Sequence, residues 1–342
     1  MDLTVATRAL DQLDVLRHEV AGAATVVAVG GRTHWEVGGA PAADCTEVRA
    51  PAGVLGYDPA ELTVTVGAGT TVGDLDAVLA DAGQECVLEP RDPARATVGG
   101  TIAAGLTGPR RLRYGPLRDR VLEVRFVTAD GRLVKGGGPT VKNVSGFDLP
   151  RLLVGSFGTI GVITQLTLRC QPRPLLSVWA RAATSDPLAV RRRCFQPSCI
   201  AWDGESVLVL LEGHPDDVAA EIDAGGLRPI EVPPSWPAGP HRGRISVRPR
   251  WVARLCDALA DVGGLRWVAE AGVGTVHVAA DEPGPLAAAR DAAHDAGGWL
   301  LREAGGDGLD GFGHALPNLP IMARLKAAFD PTGKLSPGRL AL

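Results

Sequence analysis

The chain has 342 residues, 45% of them hydrophobic and 22% charged. That length and apolar content exceed one ordinary core, imply two or three packed units, and exclude a disordered or collagen-like chain. With 35 Lys and Arg against 39 Asp and Glu, the net charge of −4 leaves no polybasic footprint for nucleic acid.

In chain order, Leu10, Leu13, Leu16 and Val20 recur at helical spacing behind a Thr7 cap and predict an amphipathic helix. The opening Met1-Asp2-Leu3-Thr4 carries no apolar signal core, and the run from Val20 to Val29 is too short to span a bilayer. A cytoplasmic protein is therefore expected. Thr25–Val29 is β-branched and apolar, reads as a buried strand, and ends in Gly30-Gly31-Arg32-Thr33-His34. Leu62–Val66 alternates with period two, as a half-buried strand does. A helix follows from Gly73 to Ala82, with Thr71 and Asp74 forming a weakened capping box. Ala96–Gly105 is a second glycine cluster. Val121–Thr128 predicts a strand that turns at Asp130-Gly131 and returns through Leu133-Val134. A third cluster, Gly155 to Gly161, leads into a strand with Ile160, Val162, Thr164, Leu166 and Leu168 on one face.

Pro172 and Pro174 mark a boundary, beyond which the pattern becomes strand Leu176–Arg181, a helix opened by Asp186-Pro187, two strands around Asp203-Gly204, and a helix after Pro215. After a Pro-rich loop from Val232 to Pro240 it restarts: strand Arg244–Val247, helix Trp251–Val262, strands Leu265–Glu270 and Thr275–Ala279, helix Leu286–Ala296, strand Trp299–Arg302. This is the β-α-β-β-α-β order of ferredoxin-like units. The first half matches most of that order, and two related halves predict one mainly antiparallel sheet with helices on one face, within an α+β fold. The expected division is 1–174, 175–312 and a strap, 313–342, whose short helix ends at Phe329 and which packs back on the body.

None of the three glycine clusters fits the phosphate loop G-x-x-x-x-G-K-[ST]. The third has the spacing G-x-x-G-x-x-G but enters a strand, so it lacks the strand-to-helix context of a Rossmann dinucleotide site. Loops without Cβ atoms can still converge their N–H groups on a diphosphate, or they can be plain strand-end turns. Gly31 and Gly100 are expected to need either positive φ or close backbone approach to phosphate. The six Cys show no C-x-x-C pair and no metal-ligand spacing, so they read as reduced thiols and no metal is expected.

The order and wording of these segments carry a resemblance: Val29–His34, then Ala96–Arg111, then Tyr114–Val124, then Val141–Thr164. Together they resemble the FAD-binding domain of the vanillyl-alcohol oxidase type, and within it the FAD-binding subunit of bacterial glycolate oxidases. The tail Phe329–Arg339 is similar to that subunit's ending. The resemblance implies FAD held extended between two α+β lobes under an antiparallel cap. Gly30, Gly31, Arg32, Thr33 and His34 would wrap the pyrophosphate. Thr97, Gly99, Gly100, Ala103 and Gly105 would line the other side, and Gly158, Gly161 and Ile163 the adenosine end. Some relatives bond flavin to a His directly after the paired glycines; Arg32 stands there, so FAD is expected to be noncovalent. Arg110, Arg111 and Arg113 would hold a substrate carboxylate or flavin phosphate, or form a solvated basic face or a docking patch. Lys142 would meet phosphate, flavin or a carboxylate at a domain contact.

Oxidation of a 2-hydroxy acid needs a base for the hydroxyl proton. Related catalytic subunits carry a His and acidic cluster on the cap; here the matching stretch offers His277 alone, and His294 and His314 are isolated. The resemblance thus implies a flavin subunit of a complex that oxidises glycolate or a similar short 2-hydroxy acid, partnered by a larger FAD-containing catalytic subunit and an iron–sulfur subunit. Through that complex it would lie peripherally at the inner membrane. A self-sufficient FAD oxidoreductase and a flavin-binding scaffold whose FAD never cycles remain alternatives.

Overall fold

The computed structural model describes residues 3–138, 147–313 and 318–340. The first helix spans Leu3–Gly22, so position 7 lies inside it and not at its start. Leu16 and Val20 are buried and pack with Val26, Val48, Val127, Val162 and Leu335, the one-sided burial that helical spacing of apolar residues requires. The strand Val26–Ala28 pairs in parallel with Thr46–Val48. That partner is not legible in the sequence, because three residues are too few to display a period.

A five-stranded antiparallel sheet follows, in the order Val54–Asp58, Thr63–Gly67, Val162–Arg169, Val121–Val127, Leu133–Gly137. The helix Val72–Ala80 opens as its capping pattern predicts: Thr71 Oγ1 accepts from the Asp74 N–H at 3.1 Å. The second glycine cluster is a short helix, Val98–Ala104, capped by Thr97 Oγ1 accepting from the Gly100 N–H at 3.2 Å. Its Val98 and Ile102 enter the core beneath the sheet.

Strand Val162–Arg169 departs from simple alternation. Its pairing with Val121–Val127 skips Thr164, since Arg125 faces Gln165 and Phe126 faces Ile163. Thr164 Oγ1 donates to the Arg125 carbonyl at 3.0 Å. The bulge puts Ile163 in the same core as Ile160, Leu166 and Leu168, while Val162 turns into the first-helix core. The expected single face is therefore split, and Ile163 gains access to the cleft described below.

An eight-stranded sheet, antiparallel throughout, carries the rest: Leu227–Ile230, Leu176–Ala182, Val207–Gly213, Cys199–Trp202, Leu265–Glu270, Thr275–Ala280, His241–Ser246, Trp299–Ala304 in spatial order. Each half runs strand, helix, strand, strand, helix, strand. They join where Ala201 and Trp202 pair with Glu270 and Ala269. Helices Pro187–Arg193 and Pro215–Gly225 bury Val190 and Val218 against Val207, Val209 and Leu211. Helices Val252–Ala260 and Pro283–Asp295 bury Leu255, Leu259 and Leu286 against Ile245, Val276 and Val278. The opposite face carries Arg244 and His277, directly paired across neighbouring strands. It turns toward the glycine segments: Arg244 Nη1 donates to the Thr107 carbonyl at 2.7 Å, and Glu303 lies 3.6 Å from Arg91.

The tail helix Leu319–Phe329 ends where expected. Within it, Lys326 Nζ donates to Asp330 and to the carbonyls of Thr159 and Leu335, pinning the strap to the turn before strand Val162–Arg169. Among the described residues no helix is long and apolar enough to cross a membrane.

Candidate functional site

The three glycine segments converge on one cleft. It is lined by Val29 to Trp35, by Ala50, Ala68 and Gly69, by Thr97, Gly99, Gly100, Ala103 and Ala104, by Phe157, Gly158, Gly161 and Ile163, and by Arg339. All the expected flavin-loop residues but one meet here. Gly105 lies outside the lining: with φ 68° it ends the short helix, and a Cβ on it would stand 2.8 Å from the Gly155 Cα. Sequence reasoning misses Ala68-Gly69, Phe157 and Arg339. Gly67-Ala68-Gly69 ends a predicted strand and offers a usable signal; Arg339 offers none, since its placement depends on where the tail returns.

Gly30 and Gly31 let two loops touch. A Cβ on Gly31 would stand 1.7 Å from the Arg95 carbonyl oxygen, and one on Gly30 2.2 Å from Thr97 Oγ1. Neither Gly31 nor Gly100 has positive φ; in this loop the left-handed residue is Arg32, at φ 57°. Gly100 is different in kind, because a Cβ there would meet Thr97 Oγ1 alone, at 3.0 Å, and otherwise enter the cleft. Among the described residues, no carbonyl or side chain accepts from the N–H groups of Gly30 through His34. A run of open N–H groups beside a left-handed residue is an anion-binding concavity. A Cβ-free floor at Gly100 and open donors at Gly30–His34 fit an extended dinucleotide with its diphosphate.

Two side chains of this loop are committed locally. Arg32 pairs with Glu47 and lies 4.3 Å over the Trp35 ring. Burial pushes the His34 imidazole down to about 4, against the opposing pull of Glu303, so it is neutral at pH 7. A neutral ring beside Arg32 is a polar lining residue.

Above the cleft, His277 is 5% exposed, does not line the cleft, and its Nε2 lies 2.5 Å from Glu270 Oε1. Burial pushes Glu270 up to about 8, while Arg244 and Arg111 pull it down. Burial also drives His277 well below its ordinary 6.5, aided by Arg244. The pair thus holds one proton in the Glu–His contact and carries no net charge at neutral pH. The unfolded chain has the same proton count between 4.5 and 6.5, loses its last proton above 6.5, and gains one below 4.5. The folded pair keeps its proton up to about 8, so stability falls as pH rises from 6.5 through 8. Glu270→Gln is expected to flatten that limb of a Tm-against-pH profile; an unchanged limb would show that the pair is not its source.

The arginine cluster joins the lobes. Arg110 forks onto Glu85 with two 3.0 Å contacts, and reaches Glu89 at 2.6 Å and Glu212 at 3.3 Å. Arg113 donates to the Glu212 carbonyl, and Tyr114 Oη donates to the Glu212 carboxylate at 3.2 Å. Arg110 and Arg113 are therefore docking residues between the glycine-rich region and the cap sheet. Arg111 is exposed, with Glu270 its main attractive charge. Lys142 and His314 lie outside the described residues.

Comparison with known proteins agrees with the cleft. Residues 6–137 match the FAD binding domain family. The glycolate oxidase subunit GlcE of Escherichia coli (strain K12) is 33% identical over 318 residues, 86% of each chain. The glycolate oxidase subunit GlcD of Bacillus subtilis (strain 168) is 36% identical over 171 residues, 47% of this chain and 36% of that one. A D-lactate dehydrogenase of Archaeoglobus fulgidus is 46% identical over 107 residues, 31% of this chain and 24% of that one. Among solved structures, an alkyldihydroxyacetonephosphate synthase superposes with a TM-score of 0.69 at 13% identity, covering 95% of this chain and 73% of its own, which shows a shared fold. By its FAD domain and by likeness along most of both chains, the protein is an FAD-dependent oxidoreductase that belongs to the family of the glycolate oxidase subunit GlcE.

Proposed function

We propose that this chain is the smaller flavin subunit of a complex that oxidises glycolate or a similar short 2-hydroxy acid to the 2-oxo acid. A larger FAD-containing subunit would bring the substrate base, and an iron–sulfur subunit would take the electrons. In this reading residues 1–174 hold FAD, residues 175–312 cover it, and residues 313–342 strap the cleft. The complex works at the cytoplasmic side of the membrane, attached peripherally. The observation that carries the reading is a cleft that fits FAD beneath a cap on which His277, the candidate base, is buried and engaged by Glu270.

Bound FAD supplies two-electron oxidation. The chain's own part is binding and shielding. The Gly30–His34 donors would hold the diphosphate, Gly100 would let the cofactor lie against the short helix, and neutral His34 adds no charge. Gly158, Gly161 and Ile163 line the remaining wall. Arg110 and Arg113 fix the cap over the cleft and keep water out. A proton acceptor is worth roughly two to four orders of magnitude in rate, and His277 Nε2 is not available for that role.

Anaerobic stopped-flow mixing of the FAD-loaded chain with glycolate or D-lactate is expected to leave the flavin band unbleached, and addition of both partner subunits to restore oxidation. Rapid bleaching of the isolated chain, lost in His277→Ala, would make this chain the catalyst and overturn the reading. Acid or heat should release intact FAD. Release of NAD, or of no nucleotide, would remove the cofactor assignment; colour kept on the denatured chain would overturn noncovalent binding alone.

A further inference from the structure

The C-terminal strap brings a cation into the cleft that no ion pair explains. Arg339 lines the cleft and is 8% exposed. Its Nη1 donates to the Val37 carbonyl at 3.1 Å and its Nη2 to the Trp35 carbonyl at 2.8 Å. The guanidinium lies 5.3 Å over the Trp35 ring, the ring that also carries Arg32. Arg32 is neutralised by Glu47, but among the described residues no carboxylate pairs with Arg339. Burial alone lowers its pKa, to about 10. Buried charges are normally paired, because desolvation is costly.

The strap that delivers this cation is fastened to both walls of the cleft. Ser336 N–H donates to the Val26 carbonyl at 2.7 Å, beside the strand that leads into Gly30. Ser336 Oγ donates to the Gly158 carbonyl at 3.3 Å, on the other glycine segment. The Leu340 N–H donates to the Gly38 carbonyl at 2.9 Å, just past the loop of open donors. Arg339 therefore stands between two fastenings, on carbonyls of the segment that follows that loop.

We infer that Arg339 is the counter-charge for the diphosphate of FAD, and that the strap and the Gly30–His34 loop close on the cofactor as one unit. The inference rests on the cleft holding FAD as proposed above. An anion there adds the charge partner that the folded chain lacks, so the strap tightens when the cofactor binds.

The test uses deflavinated full-length protein titrated with FAD and with ADP, which carries the diphosphate without the flavin. Arg339→Gln is expected to weaken both ligands about 10- to 100-fold, the range for a charged hydrogen bond. Arg339→Lys is expected to fall between it and the parent. Arg339→Gln should lower the melting temperature of the FAD-loaded protein more than that of the apo protein, because the apo form loses only the two carbonyl bonds and the loaded form also loses the charge partner. A purely structural role predicts otherwise: equal losses in apo and FAD-loaded protein, with unchanged ligand affinity. That result, or ADP binding untouched by the substitution, would overturn the inference. Should Arg339→Gln fail to fold, Arg339→Lys, which keeps the charge and loses the fork, is expected to bind FAD and ADP more weakly than the parent with the same salt dependence; affinities for both ligands equal to the parent's would overturn it. A parent that binds neither ligand would instead refute the assignment of the cleft.

Discussion

Gly100→Val is expected to abolish FAD binding while leaving the apo fold nearly intact. Gly100 is exposed to the cleft, and its added Cβ meets Thr97 Oγ1 at 3.0 Å before the β-branched methyls project into the space of the cofactor. A buried steric conflict with a ligand is not absorbed by a rigid short helix, so FAD affinity should drop at least about 100-fold, near 3 kcal/mol. Its neighbour supplies the contrast. A Cβ on Gly99 would lie 2.7 Å from the Ala68 Cβ and 2.9 Å from its carbonyl oxygen. Gly99→Val should therefore damage folding first. Flavin content and apo melting temperature, measured on both variants, separate the two effects. Normal flavin content in Gly100→Val would show that the loop is a plain turn.

Arg110→Ala is expected to destabilise the protein by about 3–5 kcal/mol, the usual range for stripping one partner from a buried ion pair. Arg110 serves three carboxylates, with side-chain exposures of 11% for Glu85, 20% for Glu89 and 4% for Glu212. Burial already pushes Glu89 up, and Arg110 is the main influence holding it down. Without the guanidinium, burial forces the Glu89 carboxyl further up in the folded state. Such a shift costs stability above its ordinary pKa and is relieved as pH falls and it protonates. The deficit should thus be larger at pH 7 than near pH 4. Arg110→Lys should recover only part of it, because an ammonium cannot fork onto Glu85 while reaching Glu89 and Glu212. Urea unfolding at both pH values reads the result. A loss below about 1 kcal/mol at pH 7 would mean that the lobes are held by other contacts.

Long, strongly periodic segments are legible in the amino-acid sequence. The second β-α-β-β-α-β half of the cap, the first half apart from its closing strand Leu227–Ile230, the capped helix after Thr71 and the Asp130-Gly131 hairpin follow from periodicity and turn chemistry, which act over neighbouring residues. The glycine segments are legible as a cofactor site through their order and wording, and the cleft gathers them with Gly105 excepted. Short elements are not. Thr46–Val48 and the helix Val98–Ala104 are too brief to show a pattern and exist because tertiary partners complete them.

What the local sequence determined, then, is which residues lack a Cβ, which carry charge and which repeat at strand or helix spacing. Where the charges point was settled by packing. Arg110, read as a substrate or phosphate ligand or a docking residue, meets Glu85, Glu89 and Glu212 because the cap sheet descends onto it. His277, read as a base, meets Glu270 because the neighbouring strand brings that carboxyl to the same face. Arg339, which carries no local signal in the chain, reaches the cleft because the strap runs back beside Val26 over more than three hundred residues of intervening sequence. Ion pairs and clefts are made by groups distant in the chain, and desolvation decides their charge only after the fold has closed around them.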